Sequence, residues 1–351
     1  MTWLDPGPFL RGVAWLNGDR PVRADPADWG RLSWNVGERA SLPIGVRLEF
    51  TARGARAVEI RYRAPVTDGR EPLPDCFALW RRGGGRRGRP RGAEWGFIAE
   101  TLTEPAAERT VTVPLPAAEG AGRDFILYPP ESRAPVMLGL RAVGGSIAPA
   151  PAQPRWLVHG DSITEGWWAT RPARSWPAAA GRRLGLDTVN LGYAGSAHGE
   201  MAIAEQLASL PADAITLAFG TNCWHGVPLS APLLHETVRA FLGVVRQGHP
   251  HTPLLVVSPV LRPAAEQAPN RLGASLGELR AALESAVTDL MRTDGRLRLL
   301  PGHGVLVPGQ LADGLHPNDA GHAALAEAVA EALGPPAGLI PRRAAPRAAV
   351  W

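Results

Sequence analysis

The sequence contains no lysine; all 37 of its basic residues are arginine. It has only two cysteines, Cys76 and Cys223, too few for a disulfide framework or a cysteine zinc site. No stretch approaches the roughly 18 consecutive apolar residues of a membrane span. The first residues, Met-Thr-Trp-Leu-Asp-Pro-Gly-Pro, lack both the basic and the continuous apolar segments of a secretory leader. These absences predict a cytoplasmic protein with no membrane partner. Excess charge is also scarce, because a pI near 9.8 accompanies a formal net charge of only +4. The local exception is residues 81–91, with arginine at 81, 82, 86, 87, 89 and 91. No aromatic residue interleaves with them, so a base-stacking platform is missing and no nucleic-acid partner is expected. The stretch reads as a solvated, mobile loop, with anion binding as the alternative.

Apolar residues make up 45% of the chain and charged residues 20%, ordinary values for a globular protein with a sizeable core. A length of 351 residues suits two domains. The pattern changes near residue 150. Before it, apolar residues alternate with polar ones, as in Val46, Leu48 and Phe50, in Val58, Ile60 and Tyr62, and in Val111 and Val113. Residues 125–128 and 136–140 follow, separated from these by Gly- and Pro-rich turns. Period two predicts half-buried antiparallel strands. No amphipathic helix stands out, so residues 1–150 are expected to form an all-β sandwich of jelly-roll type. Residues 146–154, rich in Pro and Ala, read as a semi-rigid linker.

From 151 to 334 short apolar strands alternate with helical stretches. Strands are predicted at 156–159, 189–191, 214–219, 254–257 and 297–300, and helices at 233–245, 276–290 and 320–333. Alternating βα units with nearly all-apolar strands imply a parallel sheet covered on both faces. The Pro-, Ala- and Arg-rich tail at 335–351 is expected to be disordered.

Ligands of such sheets bind beyond the carboxyl ends of the strands. The first strand is followed by Gly160-Asp161-Ser162-Ile163-Thr164-Glu165-Gly166, the second by Gly192-Tyr193-Ala194-Gly195, and the third by Gly220-Thr221-Asn222. Asp313-Gly314-Leu315-His316-Pro317 precedes the last helix. These residue types suit acyl transfer. A serine hydroxyl needs a base to take its proton, which makes Ser162 the candidate nucleophile and His316 the candidate base. Asp313, three residues earlier, is placed to orient and charge-stabilise the imidazole. The main-chain N–H groups of Ser162 and Gly195 and the side-chain amide of Asn222 are candidate oxyanion donors. Asp161 is expected to brace the turn through main-chain N–H groups. Trp167, Trp168 and Trp224 flank these blocks, and either line a hydrophobic substrate mouth or pack in the core. Cys223 reads as a packed thiol. His249 and His251 share a turn without a third ligand, so no metal and no other cofactor is expected.

The four ordered blocks resemble the SGNH hydrolases, or GDSL esterase/lipase family, whose Ser, Gly, Asn and His match Ser162, Gly195, Asn222 and His316. Asp313 matches the family's Asp-x-x-His block, and the resemblance covers about residues 155–334. It implies a flavodoxin-like three-layer α/β/α domain with a five-stranded parallel sheet. A preceding sandwich resembles certain two-domain carbohydrate esterases, and also antibiotic-tailoring acyltransferases. The expected activity is hydrolysis of a small-molecule or carbohydrate acyl ester through an acyl-enzyme. The alternatives are acyl transfer to a hydroxyl, with acyl-CoA as a conceivable donor, and an inactive sugar-binding module, against which the intact Ser162, Asp313 and His316 argue.

Overall fold

The computed structural model describes residues 2–64, 73, 76–82, 93–99, 108–116 and 122–334. Residues 83–91 of the arginine-rich stretch and the tail at 335–351 lie outside the described residues.

Two antiparallel sheets form the sandwich of the N-terminal half, beside a small ribbon of Trp15–Asn17 and Arg20–Val22. One runs Leu10–Arg11, Arg47–Arg53, Arg123–Tyr128, Cys76–Arg81 and Ala93–Ala99, and the other Val136–Val143, Ala57–Arg63 and Glu108–Pro114. Period-two patterning dictates their packing, because every second side chain faces the opposite sheet. Leu48, Phe50, Phe125 and Leu127 thus meet Val58, Ile60, Tyr62 and Leu140 in one apolar interior. The Phe50 and Phe125 rings lie opposite in register and stack at 5.6 Å.

Two features of this half differ from expectation. Residues 146–149 do not belong to a linker: Ser146–Pro149 is a strand paired with Phe50–Arg53. The pairing places Pro149 at the strand's end, where a missing N–H is tolerated. A helix, Trp34–Ala40, also occurs where none was expected. Seven residues make barely two turns, too short for a periodic signal. The Ser33 hydroxyl caps it by accepting from Val36 N–H.

The C-terminal half carries a parallel sheet in the order Asp187–Gly192, Arg155–Gly160, Ala214–Ala218, Leu254–Val257, Leu297–Leu300. All five expected strands are present. In chain order this is 2-1-3-4-5, the doubly wound order with its switch point beside the first strand. Helices Met201–Ser209, Ala231–Gly248 and Leu276–Met291 cover one face, and Trp176–Leu184 and Asp319–Leu333 the other. The two helices with no sequence signal, Trp176–Leu184 and Met201–Ser209, are only nine residues each.

The halves interlock along the edge strand Asp187–Gly192. An open strand edge invites mispairing unless it is covered. Here Arg47 donates to Thr188 O at 3.0 Å, Gly12 N–H donates to Asp187 Oδ1 at 2.9 Å, and Arg23 donates to Gly192 O. Arg47 and Glu49 have the alternation of an outward polar face, yet both are buried in this seam. Arg47 pairs with Glu49 at 2.8 Å and with Asp187 at 2.9 Å, and Arg82 closes on Glu49 at 2.7 Å.

Candidate active site

The strand Arg155–Gly160 ends in a turn that only glycine permits. A Cβ on Gly160 would lie 2.2 Å from Thr164 Oγ1 and 2.3 Å from Ala218 O. Asp161 then caps the single helical turn Ser162–Glu165 by accepting from Ile163 N–H at 2.9 Å, the bracing expected of it. Burial pushes its carboxyl up to about 6 against the pull of these main-chain donors. Ser162 is the first residue of the turn and sits at the sheet's carboxyl edge.

The structure brings Ser162, His316 and Asp313 together. Ser162 Oγ lies 2.9 Å from His316 Nε2, and His316 Nδ1 lies 2.7 Å from Asp313 Oδ2. Asp313 Oδ1 accepts from the main-chain N–H groups of His316 at 2.8 Å and Leu315 at 3.0 Å. Partial burial pushes the Asp313 carboxyl up, but the hydrogen bonds from His316 and Leu315 outweigh it and hold the group below its ordinary value. A carboxylate ionised at neutral pH, bonded to Nδ1, fixes the tautomer that leaves Nε2 free to accept a proton from the serine.

Gly195 adopts φ +71, a left-handed conformation that favours glycine. Among the described residues, no protein acceptor takes its main-chain N–H or that of Ser162. The Asn222 amide donates one hydrogen to Ser196 O at 2.5 Å, which fixes its plane and leaves the second hydrogen unused. The three expected oxyanion donors therefore lie on the loops at the same sheet edge.

Trp167 and Trp168 stand beside the His316–Asp313 pair, while Trp167 and Trp224 are part-buried against apolar clusters. Trp167 stacks against the His316 ring at 5.1 Å. Trp168 is 42% exposed and donates Nε1–H to Asp313 Oδ2 at 3.1 Å. Trp224 donates to Ala268 O at 2.8 Å, with Arg262 over its ring. Cys223 is fully buried and its thiol is pushed up by desolvation, as a packed thiol should be. His249 Nε2 meets Leu207 O at 2.9 Å in a structural contact. Among the described residues no group of three or more His, Cys, Asp or Glu side chains could hold a metal ion, and no helix is long and apolar enough to cross a membrane.

Sequence reasoning missed the support beneath the site. Glu165 is fully buried and accepts from Arg23 at 2.7 Å, from Arg39 Nε at 3.1 Å, and from Trp167 Nε1 at 3.0 Å. Arg39 also lies over the Trp167 ring at 5.6 Å. Two arginines of the N-terminal half are thus tied through Glu165 and Trp167 to the His316 ring. Asn35 of the helix Trp34–Ala40 donates to Ala194 O at 3.0 Å and Ser196 Oγ at 2.9 Å, bracing the Gly195 turn from outside. His322 Nδ1 accepts from Trp176 N–H while Nε2 meets Trp167 O at 2.9 Å. Burial lowers this imidazole to about 4, which keeps it neutral. No local motif signals Arg23, Asn35 or Arg39, whose partners are more than 120 residues away.

A serine at the carboxyl edge of a doubly wound sheet, with a histidine–carboxylate pair facing it, presents the residue types that ester chemistry uses. The family model of the GDSL-like Lipase/Acylhydrolase family matches residues 158–324. A GDSL lipase of Mycobacterium tuberculosis is 32% identical over 194 residues, covering 49% of this chain and 78% of that protein. The chain belongs to the GDSL/SGNH lipase–acylhydrolase family. Among solved structures, salicylyl-acyltransferase SsfX3 from a tetracycline biosynthetic pathway is similar over 91% of this chain and 92% of its own, with 23% identity and TM-score 0.75. A family two carbohydrate esterase from Clostridium thermocellum, solved in complex with cellohexaose, covers 84% of this chain and 92% of its own, with 16% identity and TM-score 0.60. At these identities the likeness shows a shared fold, and it extends across both halves.

Proposed function

We propose that the protein is a serine-dependent acyl ester hydrolase with Ser162 as nucleophile, His316 as general base and Asp313 as its orienting carboxylate. The observation that carries this reading is the unbroken relay from Ser162 Oγ to His316 to Asp313, at 2.9 and 2.7 Å. Ser162 Oγ attacks the ester carbonyl as its proton passes to His316 Nε2. Asp313 stabilises the imidazolium. The oxyanion takes hydrogen bonds from Ser162 N–H, Gly195 N–H and the Asn222 amide. Collapse expels the alcohol, which leaves with the proton from His316. Water, deprotonated by His316, then cleaves the acyl-enzyme.

The second reading is acyl transfer, in which a hydroxyl of a small molecule or sugar replaces water. The full-length likeness to SsfX3 favours it, as does the aromatic surround of Trp167, Trp168 and Trp224, which can exclude water from the acyl-enzyme. A small-molecule or carbohydrate ester is the substrate class, with acyl-CoA as an alternative donor.

Assay of 4-nitrophenyl esters and acyl-CoA thioesters, with and without sugar and phenol acceptors, tests both readings. Hydrolysis in water alone supports the first, and acceptor-dependent product supports the second. Ser162→Ala should lose roughly 10³-fold or more in kcat/KM with unchanged circular dichroism. Full activity in that folded variant removes Ser162 as nucleophile.

A further inference from the structure

The loop after the strand Leu254–Val257 carries a guanidinium that the protein does not use. Arg262 is half-buried, and its side chain lies over the Trp224 ring at 4.6 Å. Among the described residues it makes no side-chain hydrogen bond and no ion pair. The acid bonded to its main chain and the acid whose charge reaches its side chain are both already engaged. Glu266, four residues on, accepts from both Arg280 Nη1 and Nη2 at 2.8 Å and from the Arg262 main-chain N–H at 3.0 Å. Asp313, whose charge reaches Arg262, spends its oxygens on His316, Leu315 and Trp168.

The location is specific. Trp224 follows Asn222 by two residues, and the Arg262 loop is stitched to that segment through Asn270, which donates to Leu229 O at 2.9 Å, and through Trp224 Nε1 to Ala268 O. The guanidinium therefore stands at the carboxyl edge of the sheet, on the Asn222 and Asp313 side of Ser162. A stacked arginine has a pre-set plane, and its fork matches a planar anion in two parallel hydrogen bonds. Partial desolvation disfavours its charge more than the field of Asp313 restores it, so an anionic ligand would complete that partial compensation.

We propose that Arg262, placed over the Trp224 ring, recognises a carboxylate- or phosphate-type anion on the substrate, so that the enzyme selects esters carrying a negative charge near the scissile bond. The inference rests on the reading of Ser162 as nucleophile. It adds a specificity residue and no bond-making step.

Matched esters test it. 4-Acetoxybenzoate places the anion on the leaving phenol, and the 4-nitrophenyl monoester of glutaric acid places it on the acyl group. Each is compared with its neutral carboxamide, and 4-acetoxyphenyl phosphate separates phosphate from carboxylate. In the wild-type protein at least one anionic ester should show a KM about 10-fold or more below its neutral partner, with similar kcat. Arg262→Gln should erase the difference, and Arg262→Lys should retain part of it. Equal KM values in every pair overturn the proposal, as does a preference that survives Arg262→Gln. Should no ester be hydrolysed and none transfer its acyl group to an added acceptor, the Ser162 reading fails on its own. Anion recognition is then decided by calorimetric titration of 4-hydroxybenzoate against 4-hydroxybenzamide, in wild type and Arg262→Gln. Tighter binding of the anion, lost in the variant, sustains it, and equal binding overturns it.

Discussion

At the scale of single residues, the site is a set of donors and acceptors whose spare capacity can be counted. His316 Nε2 faces one hydroxyl, and Asp313 is saturated by His316, Leu315 and Trp168. Asn222 differs in having a hydrogen left over, because Ser196 O takes only one. Under the proposed chemistry that hydrogen meets the oxyanion, which forms in the tetrahedral intermediate and its flanking transition states and not in the bound ester. Asn222→Ala should therefore lower kcat by about 10²–10³ with little change in KM, measured by steady-state kinetics on a neutral acetyl ester. A change confined to KM would make Asn222 a ground-state binding residue instead.

At the scale of elements, the helix Trp34–Ala40 acts out of proportion to its length. Asn35 near its start braces the Gly195 turn, and Arg39 near its end meets Glu165. Glu165 is fully buried, and two arginines reach it. Removing one partner of a buried pair costs far more than removing an exposed one, because the remaining charge is left in a poor solvent. Arg39→Met should lower unfolding stability by about 3 kcal/mol, measured by urea titration. A loss under 1 kcal/mol would show that Arg23 alone suffices. Because Trp167 bridges Glu165 and the His316 ring, kcat should fall in the same variant, even at temperatures where it is fully folded.

At the scale of the whole molecule, the N-terminal half reaches the site through side chains that lie outside its sandwich core. The apolar interior of the sandwich holds no residue of the site. The residues that approach the site are Arg23, Asn35 and Arg39, in the segment before the long strand Arg47–Arg53. A chain starting at Pro154 would expose the edge strand Asp187–Gly192 and leave Glu165 without either arginine. Such a chain should be insoluble or unfolded rather than merely altered in selectivity, as checked by expression and circular dichroism. A folded, active fragment would show that the interlock is dispensable.

The sequence by itself determined the elements that carry a strong short-range pattern, and missed short ones such as Trp34–Ala40 and Ser146–Pro149. Period two placed the strands at Val46–Phe50 and Val58–Tyr62 in a sandwich. Apolar strands alternating with helices implied the covered parallel sheet, and glycine and polar residues after each strand marked its chemical edge. Ser162, Gly195, Asn222, Asp313 and His316 could be singled out because each sits in a local block with a chemical reason. Tertiary structure alone decided the roles that arise from long-range pairing. Arg47 and Glu49 have the alternation of a solvent face, but a second sheet edge covers them. Trp167, Trp168 and Trp224 leave mouth and core equally open in the sequence, and only the packed chain sets the His316 ring, Asp313 and Arg262 beside them. Arg23 and Arg39 resemble any of the 37 arginines in the chain. What distinguishes them is a buried carboxylate more than 120 residues away, and burial is a property of the packed chain that no local pattern encodes.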